Sequence, residues 1–383
     1  MSDWMENKIN QRQLLADRIG NLLLTDEDSG MKLWQASADQ LKLQQTDLPV
    51  IDVLSCVFNA EDYVAHAIES VLLQSYPNIR FIIISDGCTD RTTEIVSEYA
   101  LKNSSITHII NPKNLGIIES SNIGLKACSS PYIARMDLDD IIHPLRFEKQ
   151  MEVLLNKPNL GAISSGMKIF NEKHEISEVG YRDDFQLQKI TMLFYSPLSH
   201  AASIFRADVI KEIGYRNGYQ FAEDYDLWFQ IMSRFETAVH PEFLYYYRTH
   251  SNQVTNPRNN DIKHETWVKI LRNIFDQLKI EFTSEDIEFH ITYCILLKST
   301  KTSEEWLKFH AWLNKIVVAN SFSNFFNHQK LKDFLFMNYW INGFNQFKNQ
   351  LSLNQFIKII NCPLNPLGQF HKYKSIAKHL IGK

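Results

Sequence analysis

VIDVLSCVFNAEDYVAHAIESVLLQSYPNIRFIIISDGCTDRTT, residues Val50 to Thr93, decides the fold. Val50 to Phe58 is apolar, rich in β-branched residues and stops at Asn59, which predicts a first strand. Val64, Ala67, Ile68, Val71 and Leu72 repeat at helical spacing, which predicts a helix over Ala60–Leu73. Glu61 and Asp62 would then fall in its first turn, where acids suit the helix dipole. Tyr76, Pro77 and Asn78 break the chain before Phe81–Ile84, a second predicted strand that is left through Ser85, Asp86 and Gly87. Thr89, Asp90 and Thr92 offer caps for a helix running through Tyr99. Strand–helix–strand–helix is the order of a parallel sheet with right-handed crossovers. The loops leaving such strands meet at one edge, where open α/β sheets hold their ligands.

Acids reach that edge from three places. YIARMDLDDIIHP, Tyr132 to Pro144, sets Asp137, Asp139 and Asp140 directly after a short apolar run. Carboxylates this close repel, and burying them without partners is costly. A divalent cation chelated by a phosphate-bearing substrate would resolve the repulsion; the alternative is an acidic turn capping the next helix. Asp86 is the upstream acid, and AEDYDLWFQI, Ala222 to Ile231, brings Glu223, Asp224 and Asp226 from downstream.

Six ordered blocks carry a resemblance. FNAEDYVAHAIESVLLQSYPNIRFIIISDGCTDRT, NPKNLGIIESSNIGLKA, YIARMDLDD, SPLSHAASIFRADVIKEIGYR, AEDYDLWFQI and YYYRTHSNQVT together resemble the family 2 glycosyltransferases, which have a GT-A fold. The likeness spans roughly residues 48 to 256. It implies an α/β architecture, a Rossmann-type and mostly parallel sheet flanked by helices.

The resemblance also implies roles. Asp86 matches the acid that accepts from the imide of a uracil base, as an acceptor-only carboxylate can. Cys56, Phe58 and Asn59 would lie along the same nucleotide. Asp137 and Asp139 match the DxD signature: Asp139 would reach a magnesium or manganese ion, and Asp137 the ribose or a metal-bound water. Asp140 would support them from behind or cap a helix. Asp224 matches the catalytic base, while Glu223 would hold the acceptor or orient Asp224. Asp226 reads as decoration of a helix N-terminus whose buried face is Leu227, Trp228 and Ile231. His250 matches a position that touches the diphosphate or the metal, and His200, before an apolar run, would face the acceptor. Arg248 would either pair with phosphate through its planar fork or pack against Tyr245 to Tyr247. Three positions depart from the family pattern: Ser85 for the first Asp of a DDG triplet, Cys88 for a Ser and Ser130 for a Gly. Because Pro131 follows, Ser130 should be extended.

The remaining composition narrows the class. A chain of 383 residues with a formal net charge of -4 is not an obvious nucleic-acid partner. The five cysteines are scattered, odd in number and lack metal spacing, which suggests a reducing compartment. Asp3, Glu6 and Lys8 interrupt any secretory core, and no run of about 18 apolar residues is present. The expected organisation is an N-terminal helical extension over 1–46, the catalytic domain over 47–256 and an α-helical region over 257–383. In the last region Ile270, Ile274, Leu278 and later Phe334, Met337, Ile341 and Phe344 recur at helical spacing. After Asp333 the chain is basic and aromatic, so the tail is either a solvated helix face or a contact with an anionic membrane.

The expectation is therefore a cytoplasmic, inverting, metal-dependent enzyme, peripheral on the inner face of the membrane if the tail binds lipid. It would transfer a sugar from a nucleotide-diphosphate donor, UDP-linked, to a hydroxyl of a glycan or lipid-linked glycan in bacterial surface polysaccharide synthesis. The rivals are a sugar nucleotidyltransferase and a non-catalytic nucleotide- or glycan-binding subunit of a synthase complex. There is no Gly-rich, Arg- and Lys-bearing loop after Val53 to favour the first.

Overall fold

Alternating apolar residues of the first strand, β1 (Ile51–Val57), turn Ile51, Val53 and Val57 towards Val64, Ala67, Ile68 and Val71 of the helix Val64–Leu72. Leu54 points to the opposite face, where its Cδ1 would lie 2.2 Å from a Cβ added at Gly124 of the helix Ile117–Ala127. Both faces of β1 are therefore covered, which is why its sequence reads as an apolar run rather than an alternation. The computed structural model describes residues 48–171, 176–250, 260–340, 346–347, 350–352 and 354–355. The expected N-terminal extension and the basic tail beyond residue 355 lie outside the described residues.

The other strands are β2 (Ile79–Asp86), β3 (Ile106–Asn111), β4 (Tyr132–Arg135), β5 (Ile141–Ile142), β6 (Leu160–Asn171), β7 (Ile176–Val179), β8 (Ile204–Arg206) and β9 (Glu236–Thr249). They form one mixed sheet in the order β3-β2-β1-β4-β8-β6-β9-β5, with β7 on β6. β3, β2, β1 and β4 are mutually parallel. β8 runs against both β4 and β6, and β9 runs with β6. Two reversals cancel, so β9 points the same way as β1, β2 and β4. Their carboxyl ends, residues 58–59, Asp86, Asp137 and Thr249–His250, thus leave one edge of the sheet, as the parallel pattern predicts.

Several local expectations are corrected. The first helix begins at Val64, not Ala60, and has no acid in its first turn. Glu61 is used differently: its N–H donates to Asp90 Oδ2 at 3.1 Å and its Oε2 accepts from Arg91 N–H at 3.0 Å, lacing two loops together. Asp226 is not surface decoration; it is buried and paired with Arg216 Nε at 2.8 Å. Ser130 earns its place by its hydroxyl, which donates to Asp52 Oδ1 at 2.8 Å. Asp52 is fully buried and also accepts from Arg80 at 2.8 Å through each oxygen and from the N–H groups of Ser129 and Ser130. Despite burial, Arg80 and the Ser130 and Ser129 donors hold its carboxyl below the usual range.

By compactness the described chain divides in two. Residues up to Phe185 with Leu198–Lys263 form one unit, and Gln186–Pro197 with those from His264 onward form the other. The second unit is helical, with Ser303–Ser323 and His328–Leu335 among its helices. Ile270, Ile274 and Leu278 are buried there, but Met337 is exposed. The backbone switches to a π-helix over Phe336–Trp340, which rotates the apolar stripe away from its α-helical register. No helix among the described residues is long and apolar enough to cross a membrane.

Candidate active site

The nucleotide side of the edge is built by loops that hold one another. Asn59, at the exit of β1, has φ 53°, a left-handed conformation that Asn tolerates. Its side chain donates to Thr89 Oγ1 at 3.0 Å and accepts from Thr89 N–H at 2.8 Å, joining the β1 and β2 loops. Phe58 beside it is exposed, and Cys56 meets Ser121 Oγ at 3.7 Å. Asp86 ends β2 in a buried position. Its carboxylate accepts from Asn111 Nδ2 at 2.8 Å and from the N–H groups of Leu115 and Gly116, each at 2.9 Å. It shapes the loop after β3 before any ligand arrives. Gly87 follows with φ 66°, and a Cβ there would lie 2.2 Å from Asn114 N, so only glycine lets that loop close over β2. At Ser85 a hydroxyl meets His108 Nε2 at 2.8 Å.

The acid-rich turn after β4 is fastened to β9. Asp140 is buried and accepts from the Tyr245 hydroxyl and the Arg248 N–H, each at 2.7 Å. Burial, followed by Asp139 and Asp137, pushes its carboxyl well above the usual range. Tyr245 also accepts from Asp137 N–H at 3.3 Å. Arg248 Nε donates to the Asp139 carbonyl at 2.8 Å, and its guanidinium lies over Tyr63 and Phe170. His250 Nε2 then faces Asp139 Oδ2 at 3.2 Å, with its ring against Tyr63. The side chain of His250 is 7% exposed and that of Asp139 29%, so the pair opens outward through the carboxylate.

Asp137 links this turn to the third acid cluster. Burial, Asp139 and Asp224 raise it to about 6 against the pull of Arg135, whose guanidinium lies 3.5 Å away. With 41% of its side chain open, water moderates that shift. Glu223 and Asp224 open the helix Glu223–Met232. Asp224 Oδ1 accepts from Tyr225 N–H at 2.7 Å. Glu223 is lifted to about 7 by burial first, then by Asp224 and Asp137. Asp137 therefore interacts electrostatically with its neighbour Asp139 and with Glu223 and Asp224, which come from a segment more than eighty residues away. His200 meets the Tyr215 hydroxyl at 2.7 Å; burial and Arg135 keep its imidazole neutral.

Four side chains to which the sequence assigned no part in the chemistry lie within the site: Arg135, Tyr215, Tyr63 and Tyr245, the last expected only as packing for Arg248. Arg135 carried a signal, a lone charge closing an apolar strand, which must find partners when buried. It is buried, donates to the Leu54 carbonyl at 2.9 Å and acts on Asp137, Glu223, Cys56 and Tyr215. The tyrosines carried none, because their partners are distant in the chain.

Asp139 and His250 are a carboxylate and an imidazole converging at hydrogen-bond distance, a donor pair that fits a divalent ion. No group of three His, Cys, Asp or Glu able to hold a metal occurs among the described residues, so diphosphate and water oxygens would have to complete its shell.

The profile described as "Glycosyl transferase family 2" matches residues 52–214. An uncharacterized glycosyltransferase of Haemophilus influenzae is 36% identical over 236 residues, which is 58% of this chain and 72% of that protein. The O-antigen biosynthesis glycosyltransferase WbnJ of Escherichia coli is 33% identical over 190 residues, 49% of this chain and 73% of its own. Among solved structures, S. aureus TarS 1-349 in complex with UDP-GlcNAc superposes with a TM-score of 0.52 at 16% identity, covering 70% of this chain and 81% of the other. That last likeness is one of fold.

Proposed function

The chain belongs to glycosyltransferase family 2, and on that premise we propose that it moves a sugar, with inversion, from a UDP-linked donor to a hydroxyl of a glycan acceptor in surface polysaccharide assembly. The observation that carries this reading is the electrostatic coupling of Asp137, next to Asp139, with Glu223 and Asp224 from a distant segment. The naming of one relative for O-antigen biosynthesis supports the setting.

In this mechanism Asp86 and the loop it shapes receive the base, and Asp137 the ribose. Asp139 and His250 would hold a manganese or magnesium ion, whose charge when bound offsets the negative charge gathering on the diphosphate. Asp224 takes the proton of the acceptor hydroxyl as its oxygen forms the new bond to the anomeric carbon and the diphosphate departs on the opposite side. A positioned carboxylate contributes roughly a hundred- to ten-thousandfold in such a step. Arg135, below the cleft, restrains the mutual repulsion of the acids. His200, paired with Tyr215, faces the acceptor.

Substituting Asp224→Asn tests the assignment. Transfer should fall roughly a hundredfold or more while UDP affinity, read by calorimetry, stays within about twofold. Unchanged turnover would remove Asp224 from the role of base, and turnover absent from the wild type with every nucleotide sugar would favour a non-catalytic binding subunit.

A further inference from the structure

Glu223 stands apart from the other acids of the cleft. Its Oε2 is closed off from water and has no hydrogen-bond partner. The charged groups that act on it are Asp224 and Asp137, of its own sign, and Arg135. Arg135 turns its two terminal nitrogens to Asp137 and to the Leu54 carbonyl, and its Nε, also buried, has no hydrogen-bond partner, so it meets Glu223 through charge alone. Tyr215 also feels Glu223, with its hydroxyl engaged by His200. The carboxyl receives a hydrogen bond from its own backbone N–H, but its enclosed Oε2 has no donor, so ionisation beside Asp224 and Asp137 is costly; holding a proton removes the cost. Asp139 has His250 and Asp140 has Tyr245 and Arg248, so neither faces this difficulty.

We propose that Glu223 is held as a neutral carboxylic acid and, by turning its carboxyl outward when the acceptor binds, donates its O–H to a sugar hydroxyl oxygen, leaving Asp224 as the proton acceptor. No covalent change occurs at Glu223, and its proton is neither gained nor lost in the transfer. The proposal rests on the transferase reading and names a specificity element within it: a group at this point of the cleft must offer an oxygen that accepts, as a neutral sugar hydroxyl does. Burial, followed by Asp224 and Asp137, raises Glu223 to about 7, so roughly half of it holds a proton at neutral pH and nearly all of it at about pH 6. Ionisation above that range would remove the donated bond and add a negative charge beside an anionic diphosphate, so turnover should fall along a one-proton alkaline limb.

The full chain is examined with a panel of UDP-sugars and manganese, following UDP release from about pH 6 to about pH 9. Glu223→Gln keeps a hydrogen-bond donor and cannot ionise. It should lose less turnover than Glu223→Ala and lack the alkaline limb, whereas Glu223→Ala should lose about tenfold or more at every pH. Infrared difference spectra of the same proteins give a readout that needs no substrate. A protonated-carboxyl band at about pH 6 that fades towards about pH 9 in the wild type and is missing from Glu223→Gln supports the proposal. Identical spectra for the two, or a Gln variant as inactive as the Ala variant while both keep the wild-type melting temperature, overturn it. Failure of the wild type to release UDP from any probe would strike at the transferase reading instead, and the spectra alone would then decide the state of Glu223.

Discussion

Tyr245, near the end of β9, donates its hydroxyl proton to Asp140 Oδ2 at 2.7 Å and accepts from the Asp137 N–H at 3.3 Å. One phenol therefore spans both ends of the DLDD turn and ties it to the strand that delivers His250. The turn's acids repel, and an untethered loop would relieve the repulsion by spreading. Tyr245 and the Arg248 N–H oppose that by neutralising the deepest member, Asp140, with two donated hydrogen bonds.

Removing that hydroxyl tests the tether. Tyr245→Phe leaves an enclosed Asp140 oxygen without its donor, and stability should drop by about 1–3 kcal/mol. Turnover should fall further than stability alone explains, since Asp137 and Asp139 lose their common support. Urea unfolding together with UDP release checks both; full activity with lowered stability would confine Tyr245 to a structural role.

The Asp139–His250 pair makes a prediction about metal. Chelation should abolish UDP release, and manganese should restore it better than magnesium, because an imidazole donor suits the softer ion. His250→Ala should raise the manganese concentration for half-maximal UDP binding by roughly ten- to a hundredfold. Calorimetric titration of manganese at fixed UDP measures this, and an unaltered midpoint would take His250 out of the ion's shell.

Asp52 predicts a large stability effect far from chemistry. It gathers Arg80, Ser129 and Ser130 around a fully buried carboxylate at the start of β1. Asp52→Ala strands those donors and should cost about 3–5 kcal/mol, as loss of one partner of a buried pair does. Ser130→Gly removes one of the donors and should cost only about 1 kcal/mol. Denaturant midpoints of the two variants should rank in that order.

Buried histidines predict the acid limb of stability. His143 is pushed to about 4, chiefly by burial and then by Lys149, against an ordinary value of 6.5; burial does the same to His290 and His310. Above about pH 6.5 these imidazoles are neutral whether the chain is folded or not, and they give no pH dependence. Below it the unfolded chain binds protons that the folded chain refuses, so each takes away up to about 3 kcal/mol as the pH falls to about 4. The raised carboxyls Asp140 and Glu223 act in the opposite sense. The informative quantity is therefore the difference between wild type and His143→Gln, whose stability should decline less steeply from about pH 6.5 to about pH 4. Parallel curves would mean that His143 binds its proton in the folded protein.

The order of strands and helices from Val50 to Tyr99 was legible because apolar spacing is a local property of the chain. So was the clustering of acids at strand ends, since a parallel sheet sends every such end to the same edge. Helix starts were less legible: Glu61 suits a first turn by type, yet its actual partner Arg91 lies thirty residues on, and the helix waits until Val64. Asp226 reads as an exposed acid until Arg216 is seen to fold over it.

Chemistry carried by residue type and order, namely the carboxylates of Asp86, Asp137, Asp139 and Asp224, was fixed in the primary structure. Their working state was not. Which acid holds a proton, which histidine stays neutral and which arginine lies beneath the cleft depend on burial and on charges from distant segments. Those quantities come into being only when β4, β9 and the helix Glu223–Met232 close around a common volume from which water is partly excluded.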